Sequence, residues 1–289
     1  MQHVVILGAN GQLGSDLIAV CTEHKIPFTP VTQMDFDALT DDLASKILDG
    51  ITGVSHIINC IATTNVDGCE TDSELAFNIN ANFAYKLARL CNDRNITLFH
   101  ISTDYVFDGT KTELYSETDV PNPLNVYGIS KCAGDKAIMR YAAKYFIFRV
   151  SSLFGRAGAS GKGGNFITTM QRLGRERDTL SVIANQITTP TATLDVARAI
   201  AHFIINNITD YGIYNCVSTN SCSWYDFAHE IFKLSGLDES KLHKADFDSY
   251  SFIAKRPKSA VMSTAKINQY YQMPQWQQSL NEYFSVITA

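Results

Sequence analysis

The chain of 289 residues lacks the cysteine pattern of a disulfide-stabilised protein. Its seven cysteines are odd in number, and no two of them stand in a C-x-x-C pair. Disulfide frameworks and thiol-based zinc or redox motifs depend on such pairing, so free thiols in a reducing compartment are predicted. The first residues, M-Q-H-V-V-I-L-G, also lack a basic leader followed by a long apolar stretch. We therefore expect a cytoplasmic protein.

The sequence also lacks a net positive charge, long apolar runs and metal-binding histidine spacings. The formal net charge is -5, which gives no general attraction for nucleic acid or an anionic membrane. No run of 18 apolar residues predicts a membrane-spanning helix. The seven histidines show neither H-x-H nor H-E-x-x-H spacing, which argues against a dedicated metal site. The expected partner is a small molecule.

Apolar runs alternate with amphipathic segments over the first 150 residues. The runs that read as strands are 3–8, 26–31, 55–60, 96–102 and 145–151. Strands buried on both faces appear as continuous apolar runs, and their alternation with helices is typical of βαβ units. We predict an α/β fold with a doubly wound parallel sheet. An apolar stripe from Leu75 to Leu90 predicts one long core-facing helix between Ser73 and about Asn92.

The pattern changes after residue 155. Five glycines in residues 155–165 indicate a mobile loop that acts as a domain hinge or a lid over a substrate. The segments expected beyond it are a basic helix (165–177), a strand (179–183), a helix (193–207), a strand (211–216) and a more irregular helical region from about 222. The predicted division is a dinucleotide-binding domain (1–155 and about 179–221) and a smaller, discontinuous substrate-binding domain (about 156–178 and 222–289).

Three glycines follow the first predicted strand directly, in the pattern G-x-x-G-x-x-G at Gly8, Gly11 and Gly14. Glycines allow a tight turn and close approach of the backbone to a pyrophosphate, which the helix N-terminus attracts. The spacing favours a nucleotide-binding fold of the short-chain type over the medium-chain form. The candidate cofactor-binding residues in this turn are Gly8, Asn10, Gly11, Gln12, Leu13 and Gly14.

The end of the second strand leaves the cofactor type open. An acidic residue here would bind the adenosine ribose, and an arginine would accept a 2′-phosphate. The segment P-V-T-Q-M-D-F-D has no basic residue, and its first carboxylate, Asp35, comes slightly late. Asp35 and Phe36 either line an adenine pocket, or Asp35 only prepares the turn before the next helix.

Hydroxyl groups follow the fourth predicted strand, and a Tyr-x-x-x-Lys pair precedes the fifth. Ser102 and Thr103 lie at the carboxyl edge of the sheet, where ligands of parallel sheets bind. Tyr127 and Lys131 have a spacing that any helix surface can show. If both face the cleft, the charge of Lys131 should lower the pKa of the phenol from about 10, making it a usable proton donor. Thr103 would polarise the same substrate oxygen.

Ordered motifs extend this pattern along nearly the whole chain. They are G-A-N-G-Q-L-G (8–14), N-C-I-A-T-T-N-V-D-G-C-E (59–70), F-N-I-N-A-N (77–82), S-T-D-Y-V-F-D-G (102–109), E-T-D-V-P-N-P-L-N-V-Y-G-I-S-K-C-A-G-D-K-A-I (117–138), N-Q-I-T-T-P-T (185–191) and K-R-P-K-S-A-V-M-S-T-A-K-I (255–267). The chain resembles the extended short-chain dehydrogenases/reductases, and most of all their dTDP-4-dehydrorhamnose reductase branch.

The resemblance implies a Rossmann-type fold and NADPH- or NADH-dependent reduction of the 4-keto group of a nucleotide-diphosphate deoxysugar. Thr103, Tyr127 and Lys131 would form the catalytic triad, with Tyr127 protonating the reduced oxygen and Lys131 also holding the nicotinamide ribose. Further residues implied near the cofactor are Cys60, Ala62, Thr64 and Asn80. Those implied around the substrate are Asp104, Tyr105, Val106, Asn165, Phe166, Gln186, Pro190 and Arg256. For Val106 and Phe166, the alternative is core packing. A homodimer is one expected assembly.

One departure from the family pattern lies beside the expected sugar site. These reductases commonly read R-T-S-W-V-Y where this chain reads R-V-S-S-L-F, so Ser152 takes the place of a tryptophan that borders the sugar. Ser152 is therefore a candidate determinant of the substrate. The alternatives are a nucleotide-sugar epimerase or dehydratase of the same fold, and a non-catalytic regulatory subunit that binds the cofactor.

Overall fold

The computed structural model describes residues 2–157 and 164–287. Its strands are β1 (His3–Leu7), β2 (Phe28–Val31), β3 (Val54–Asn59), β4 (Thr97–Thr103), β5 (Tyr145–Val150), β6 (Leu153–Phe154), β7 (Leu180–Ile183), β8 (Ile187–Thr188), β9 (Thr191–Ala192), β10 (Gly212–Asn215), β11 (Cys222–Ser223) and β12 (Leu242–Ala245). Its helices are α1 (Gln12–Glu23), α2 (Leu43–Lys46), α3 (Val66–Thr71), α4 (Ser73–Phe77), α5 (Phe83–Asp93), α6 (Val126–Tyr141), α7 (Phe166–Glu176), α8 (Thr193–Ile205), α9 (Trp224–Leu234) and α10 (Trp276–Ile287).

The central sheet has six parallel strands in the order β10-β5-β4-β3-β1-β2. The chain moves from β1 to β2 on one side and returns to β3 on the other, so the strand order reverses beside β1. This confirms the predicted doubly wound parallel sheet. In sheets of this kind, ligands bind at the carboxyl ends of the strands near the reversal. The strand predicted at 179–183 is β7, which pairs with β12 outside the central sheet.

Separate apolar clusters cover the two faces of the sheet. On one face, α1 and α8 pack through Leu17 and Phe203 against Phe148 of β5. On the other, Leu87 of α5 and Ile138 of α6 belong to a cluster with the strand residues. These sheet residues are buried on both sides, which explains why the strands read as unbroken apolar runs.

The helix predicted from Ser73 to Asn92 is interrupted in the structure. A widened π-type turn over Asn78–Asn82 separates α4 from α5. The side chain of Asn80, in this turn, exchanges hydrogen bonds with the backbone N–H and C=O of Thr63 at 2.9 and 3.1 Å. Such turns often serve functional positions. Gly134 of α6 permits the close approach, because a Cβ there would lie 2.2 Å from the Asn80 carbonyl oxygen.

A third apolar cluster joins α7, α9 and α10 with β7. Phe166 stacks on Phe227 at 5.4 Å between ring centroids, and Phe227 meets Trp276 edge-on at 5.7 Å. The predicted mobile loop falls mainly on residues 158–163, which lie outside the described residues.

The described part of the chain can be compared with two expectations, the one on disulfides and the one on membrane-spanning helices. Within it, the seven cysteines form no disulfide, as predicted. Among residues 2–157 and 164–287, no helix is both long and apolar enough to cross a lipid bilayer.

The start of α6 depends on Asn125. Its Oδ1 accepts the Gly128 N–H at 2.8 Å, and its Nδ2 donates to the Lys255 carbonyl oxygen at 2.7 Å. The side chain is 3% exposed. One amide thus caps the helix that carries Tyr127 and ties it to the 255–257 segment.

We predict that Asn125→Ala lowers the free energy of unfolding by about 2–3 kcal/mol, because it removes a helix cap and leaves a buried carbonyl without its donor. Asn65→Ala is the matched control, since exposed Asn65 caps α3 through the Gly68 N–H at 3.1 Å. It should cost about 1 kcal/mol. Urea unfolding measures both, and equal losses would contradict a role for Asn125 beyond capping.

Candidate active site

A cleft of about 550 Å³ lies at the carboxyl ends of the central strands. The predicted residues that line it are Gly11, Gln12, Leu13, Gly14, Cys60, Ala62, Thr64, Thr103, Asp104, Tyr105, Tyr127, Lys131, Ser152, Asn165 and Phe166. The fold therefore brings the glycine turn, the triad and part of the predicted substrate set to one cavity. A second cavity, of about 20 Å³ beside Asp16 and Tyr283, has room for little more than a water molecule.

The glycine turn is shaped for close backbone approach. Gly8 has a φ of +76°, a left-handed conformation that favours glycine. A Cβ on Gly14 would lie 2.3 Å from the Gly8 carbonyl oxygen. Because Gly11 occupies the N-cap of α1, the first N–H groups of this helix have no capping side chain. The turn thus fits the pyrophosphate of a dinucleotide.

Asn165 links this turn to the other wall of the cleft. Its Nδ2 donates to Gln12 Oε1 at 3.1 Å and to the Gly155 carbonyl oxygen at 2.8 Å. With Thr168 it also forms a capping box that starts α7. These contacts position Phe166, the first residue of α7, at the cleft.

Thr103, Tyr127 and Lys131 come together as predicted. Thr103 is 5%, Tyr127 9% and Lys131 1% exposed. The Thr103 hydroxyl lies close to the Tyr127 phenol, accepts the Tyr105 N–H at 3.1 Å and donates to Asp104 Oδ1 at 3.0 Å. Two hydroxyl groups therefore meet at one point, where they can bind a substrate oxygen.

The predicted effect of Lys131 on Tyr127 is wrong in this structure. Burial, the largest cause, and the nearby Asp104 carboxylate raise the pKa of Tyr127, although the neighbouring Thr103 hydroxyl opposes them. Lys131 Nζ instead lies 3.0 Å from His100 Nε2 and donates to the Ile101 carbonyl oxygen at 2.6 Å. Burial lowers the pKa of Lys131 to about 8.

Asp104 is a buried carboxyl group beside the two hydroxyls. Burial raises its pKa to about 6, although donors from Ser151 (2.7 Å) and Thr103 oppose this shift. Since a threonine hydroxyl has one proton, Thr103 can donate either to Asp104 or to a substrate oxygen.

Asp35 and Phe36 have local roles. Asp35 accepts the Thr32 N–H at 2.9 Å and the Thr32 hydroxyl at 2.7 Å, which matches the turn interpretation. Phe36 is 2% exposed and packs on Phe83 at 5.7 Å, so its ring belongs to the core. A place in an adenine pocket is therefore not supported for Phe36.

Four predicted substrate residues are not among those that line the cleft. Val106 is fully buried in an apolar cluster, as its alternative interpretation expected, and Pro190 is also buried. Gln186 donates to the Pro257 carbonyl oxygen at 2.9 Å. Arg256 pairs with Asp67 at 2.7 Å and stacks over Phe252 at 4.2 Å, so a phosphate would have to compete with a carboxylate for it.

Ser152, the departure from the family pattern noted in the sequence, lies at the cleft in an unusual backbone conformation. Its φ is +42°, in the left-handed region that non-glycine residues rarely adopt. Its hydroxyl is hydrogen-bonded to that of Thr188. Strained residues of this kind concentrate at functional sites.

Two aromatic residues of the cleft were missed from the sequence. Trp224 and Phe227, on the first turn of α9, line the cavity beside Phe166, and the Trp224 ring lies 4.6 Å from that of Phe166. The available signal was the capping box formed by Ser223 and Asp226, which marks a helix start. That signal does not say which wall the helix joins. The described residues contain no group of three or more His, Cys, Asp or Glu placed to hold a metal ion.

Comparison with known proteins agrees with this arrangement. A family model described as "RmlD substrate binding domain" matches residues 1–288. The chain belongs to the RmlD family. Among similar relatives is a dTDP-4-dehydrorhamnose reductase from Aggregatibacter actinomycetemcomitans, 34% identical over 97% of both chains. Another is a dTDP-4-keto-6-deoxy-D-glucose reductase from Streptomyces niveus, 34% identical over 89% of this chain and 87% of that protein.

A solved structure gives the same result for the fold. The dTDP-4-dehydrorhamnose reductase of Bacillus anthracis str. Ames, in complex with NADP, aligns with a TM-score of 0.89 and 34% identity, covering 99% of this chain and 100% of that one. The RmlD-family fold thus extends over nearly the whole protein.

We predict that the free energy of unfolding of the Asp104→Asn variant of this RmlD-family protein, relative to that of the parent, increases by about 2–3 kcal/mol between pH 4 and pH 8. The pKa of about 6 exceeds that of an unfolded Asp, so the parent loses stability as pH rises from about 4 through 6. Urea unfolding at both pH values measures the effect.

Asp108→Asn is the control, at a carboxyl group whose pKa is shifted in the opposite direction. Hydrogen bonds from Tyr115 and Asn122 hold the pKa of Asp108 below its usual range. Its contribution is therefore present above the unfolded pKa and is lost only as pH falls below about 4, so the stability of this variant relative to the parent should change little between pH 4 and pH 8. A pH-independent effect of Asp104→Asn would contradict the raised pKa.

Proposed function

We propose that this protein is an NAD(P)H-dependent reductase of the 4-keto group of a nucleotide-linked deoxysugar. The observation that carries the proposal is the meeting of the Thr103 and Tyr127 hydroxyls in a cleft that also contains the glycine turn. The names of the relatives, two reductases of dTDP-linked keto sugars, support the substrate class.

The cleft residues divide into two sets. The glycine turn would hold the pyrophosphate of the cofactor, and Cys60, Ala62 and Thr64 would lie along it. When bound, the reduced nicotinamide supplies a hydride. NADP in the Bacillus anthracis relative supports this cofactor class. For this chain NADH stays equally open, because residues 32–45 include no basic side chain to meet a 2′-phosphate.

Thr103 and Tyr127 would bind the keto oxygen and polarise it. As C4 gains the hydride, the oxygen takes the proton of the Tyr127 phenol, which yields a secondary alcohol and a phenolate. As an ammonium group, Lys131 would donate to the ribose of the nicotinamide, as the resemblance implies. Thr103 can donate its hydroxyl proton to the keto oxygen only when it does not donate that proton to Asp104.

The aromatic side chains of the cleft would contact the part of the substrate away from the keto group. Phe166 and Trp224 offer apolar faces suited to a sugar or a base. Ser152 leaves room where relatives commonly have tryptophan. We infer a dTDP carrier from the relatives' names, with Ser152 selecting among 4-keto-6-deoxysugars.

The domain division and the assembly stay predictions. The separate apolar cluster of α7, α9 and α10 supports a substrate-binding unit opposite the sheet. Exposed Tyr85, Met139 and Tyr141 on α5 and α6 are compatible with a homodimer, which light scattering would test. The cytoplasmic location also stays a prediction.

The direct test incubates the protein with NADPH or NADH and a panel of dTDP-linked 4-keto-6-deoxysugars, and follows the absorbance of the reduced cofactor. We expect oxidation of the cofactor with at least one sugar. An epimerase or dehydratase would instead retain NAD through purification and convert the sugar without net oxidation. Cofactor binding with no turnover on any sugar would leave the regulatory alternative and overturn the reductase proposal.

We predict that Tyr127→Phe lowers kcat by about 10²-fold or more while cofactor binding persists, because the general acid is removed without loss of the ring. Tyr141→Phe is the matched control at the other end of α6, where the side chain is 42% exposed. It should leave kcat unchanged. Parent-like turnover by the Tyr127→Phe variant would exclude Tyr127 as the acid.

A further inference from the structure

Two buried side chains behind Lys131 have no part in the reaction as described above. Asn59 ends β3 and His100 lies on β4, each 1% exposed. They are register partners on neighbouring strands. Asn59 Nδ2 lies 3.0 Å from His100 Nδ1, and His100 Nε2 lies 3.0 Å from Lys131 Nζ. The three side chains form one hydrogen-bonded row that ends at the cleft.

The orientation of Asn59 sets the direction of the row. Its Oδ1 accepts the backbone N–H of Ile61 at 3.1 Å, so its amide nitrogen faces His100. An amide nitrogen donates and does not accept, which makes His100 Nδ1 an acceptor without a proton. Burial and the proximity of Lys131 hold the pKa of His100 well below its usual range, so the ring is neutral. Its single proton is therefore on Nε2.

This proton faces Lys131. An ammonium group has donors alone, so it would oppose the His100 N–H at 3.0 Å, whereas a neutral amine has a lone pair that accepts it. The amine still donates to the Ile101 carbonyl oxygen, and one further N–H remains for the cleft.

We propose that the row of Asn59 and His100 favours the neutral amine over the ammonium form of Lys131 in the ligand-free protein, and that His100 is a positioning residue which acts through Lys131. To become an ammonium group, Lys131 must turn His100 into its Nδ1–H tautomer. Asn59 must then present Oδ1 to the ring and give up the Ile61 N–H. The charge of Lys131 is thereby coupled to the backbone between Cys60 and Ala62, which lines the cleft.

The surroundings of Lys131 both lower and raise its pKa. Burial, the largest cause, disfavours the ammonium form, while Asp135 on the same helix and Cys60 after β3 favour it. Asp135 Oδ1 lies 3.9 Å from His100 Nε2. Arg149 of β5 also interacts with Asp135 and so competes for its charge. The result is a pKa of about 8 for Lys131, below the usual value of a lysine, so the amine form prevails only above about pH 8.

Nitrogen NMR of histidine-labelled, ligand-free protein tests the tautomer directly. Above about pH 8 we expect one buried ring in the Nε2–H form, with signals that disappear in the His100→Gln variant. An Nδ1–H or doubly protonated ring at about pH 9, where Lys131 is mostly an amine, would overturn the proposal. This measurement is independent of the proposed reductase function.

Asn59→Asp tests the coupling with almost no change of shape. One carboxylate oxygen keeps the Ile61 N–H, and the other accepts from His100 Nδ1, which leaves Nε2 to accept from a Lys131 ammonium group. We expect the Nδ1–H tautomer by NMR. The Lys131 titration, followed by its side-chain carbon shift, should move upward by about one pH unit or more.

His100→Gln offers a second route if the aspartate variant does not fold, because the glutamine carbonyl can accept from Lys131; it should also raise the Lys131 titration. His56→Gln is the control, since His56 lies on β3 and is hydrogen-bonded to Ser55. It should leave the titration unchanged. An unshifted Lys131 in both Asn59→Asp and His100→Gln would overturn the proposal.

A kinetic comparison rests on the proposed function. The parent kcat/KM for reduction should fall above about pH 8 as Lys131 loses its charge, and this limb should move upward with the titration in Asn59→Asp. A limb that stays in place while the NMR titration moves would contradict the role of His100 in the reaction. The expected NMR result without turnover on any sugar would count against the reductase function alone.

Discussion

The dehydration of ionisable groups at the carboxyl end of β4 is the constraint on which the site depends. Lys131, His100, Asp135 and Arg149 are each 1–2% exposed. Moving an ion from water into a protein interior costs several kcal/mol unless partners compensate. Each of these groups therefore needs a neighbour whose position is fixed by the fold, and small changes in those neighbours decide which groups carry charge.

The parallel sheet supplies the partners through its register. Asn59 on β3 pairs with His100 on β4, and Ser102 on β4 pairs with Arg149 on β5. Ser102 also donates to Asp135 at 2.6 Å. Polar residues at the ends of three adjacent strands thus meet in one layer beneath the cleft. The apolar runs that precede them bury the strands, and this burial gives the polar layer its low-dielectric surroundings.

The sequence predicted the parts of the structure that depend on local pattern. The strands, the glycine turn and the pairing of Tyr127 with Thr103 follow from periodicity, from φ requirements and from family motifs. The interrupted helix at Asn80 could not be predicted, because its cause is a hydrogen bond to Thr63, 17 residues earlier. The direction in which the Tyr127 pKa shifts also could not be predicted, because the spacing gives the distance to Lys131 along a helix but not the depth of burial. Trp224 reaches the cleft through the packing of α9 on α7.

Two unfavourable features of the fold lie at the cleft. Asp104 is a buried carboxyl with a raised pKa, and Ser152 adopts a positive φ without being glycine. Each feature raises the free energy of the folded state relative to an ordinary alternative, such as an asparagine or a relaxed turn. The apolar clusters on both faces of the sheet stabilise the fold enough to hold both features in place. Because a carboxylate beside Thr103 controls where the hydroxyl proton is directed, the cost at Asp104 is tied to the chemistry that the cleft can perform.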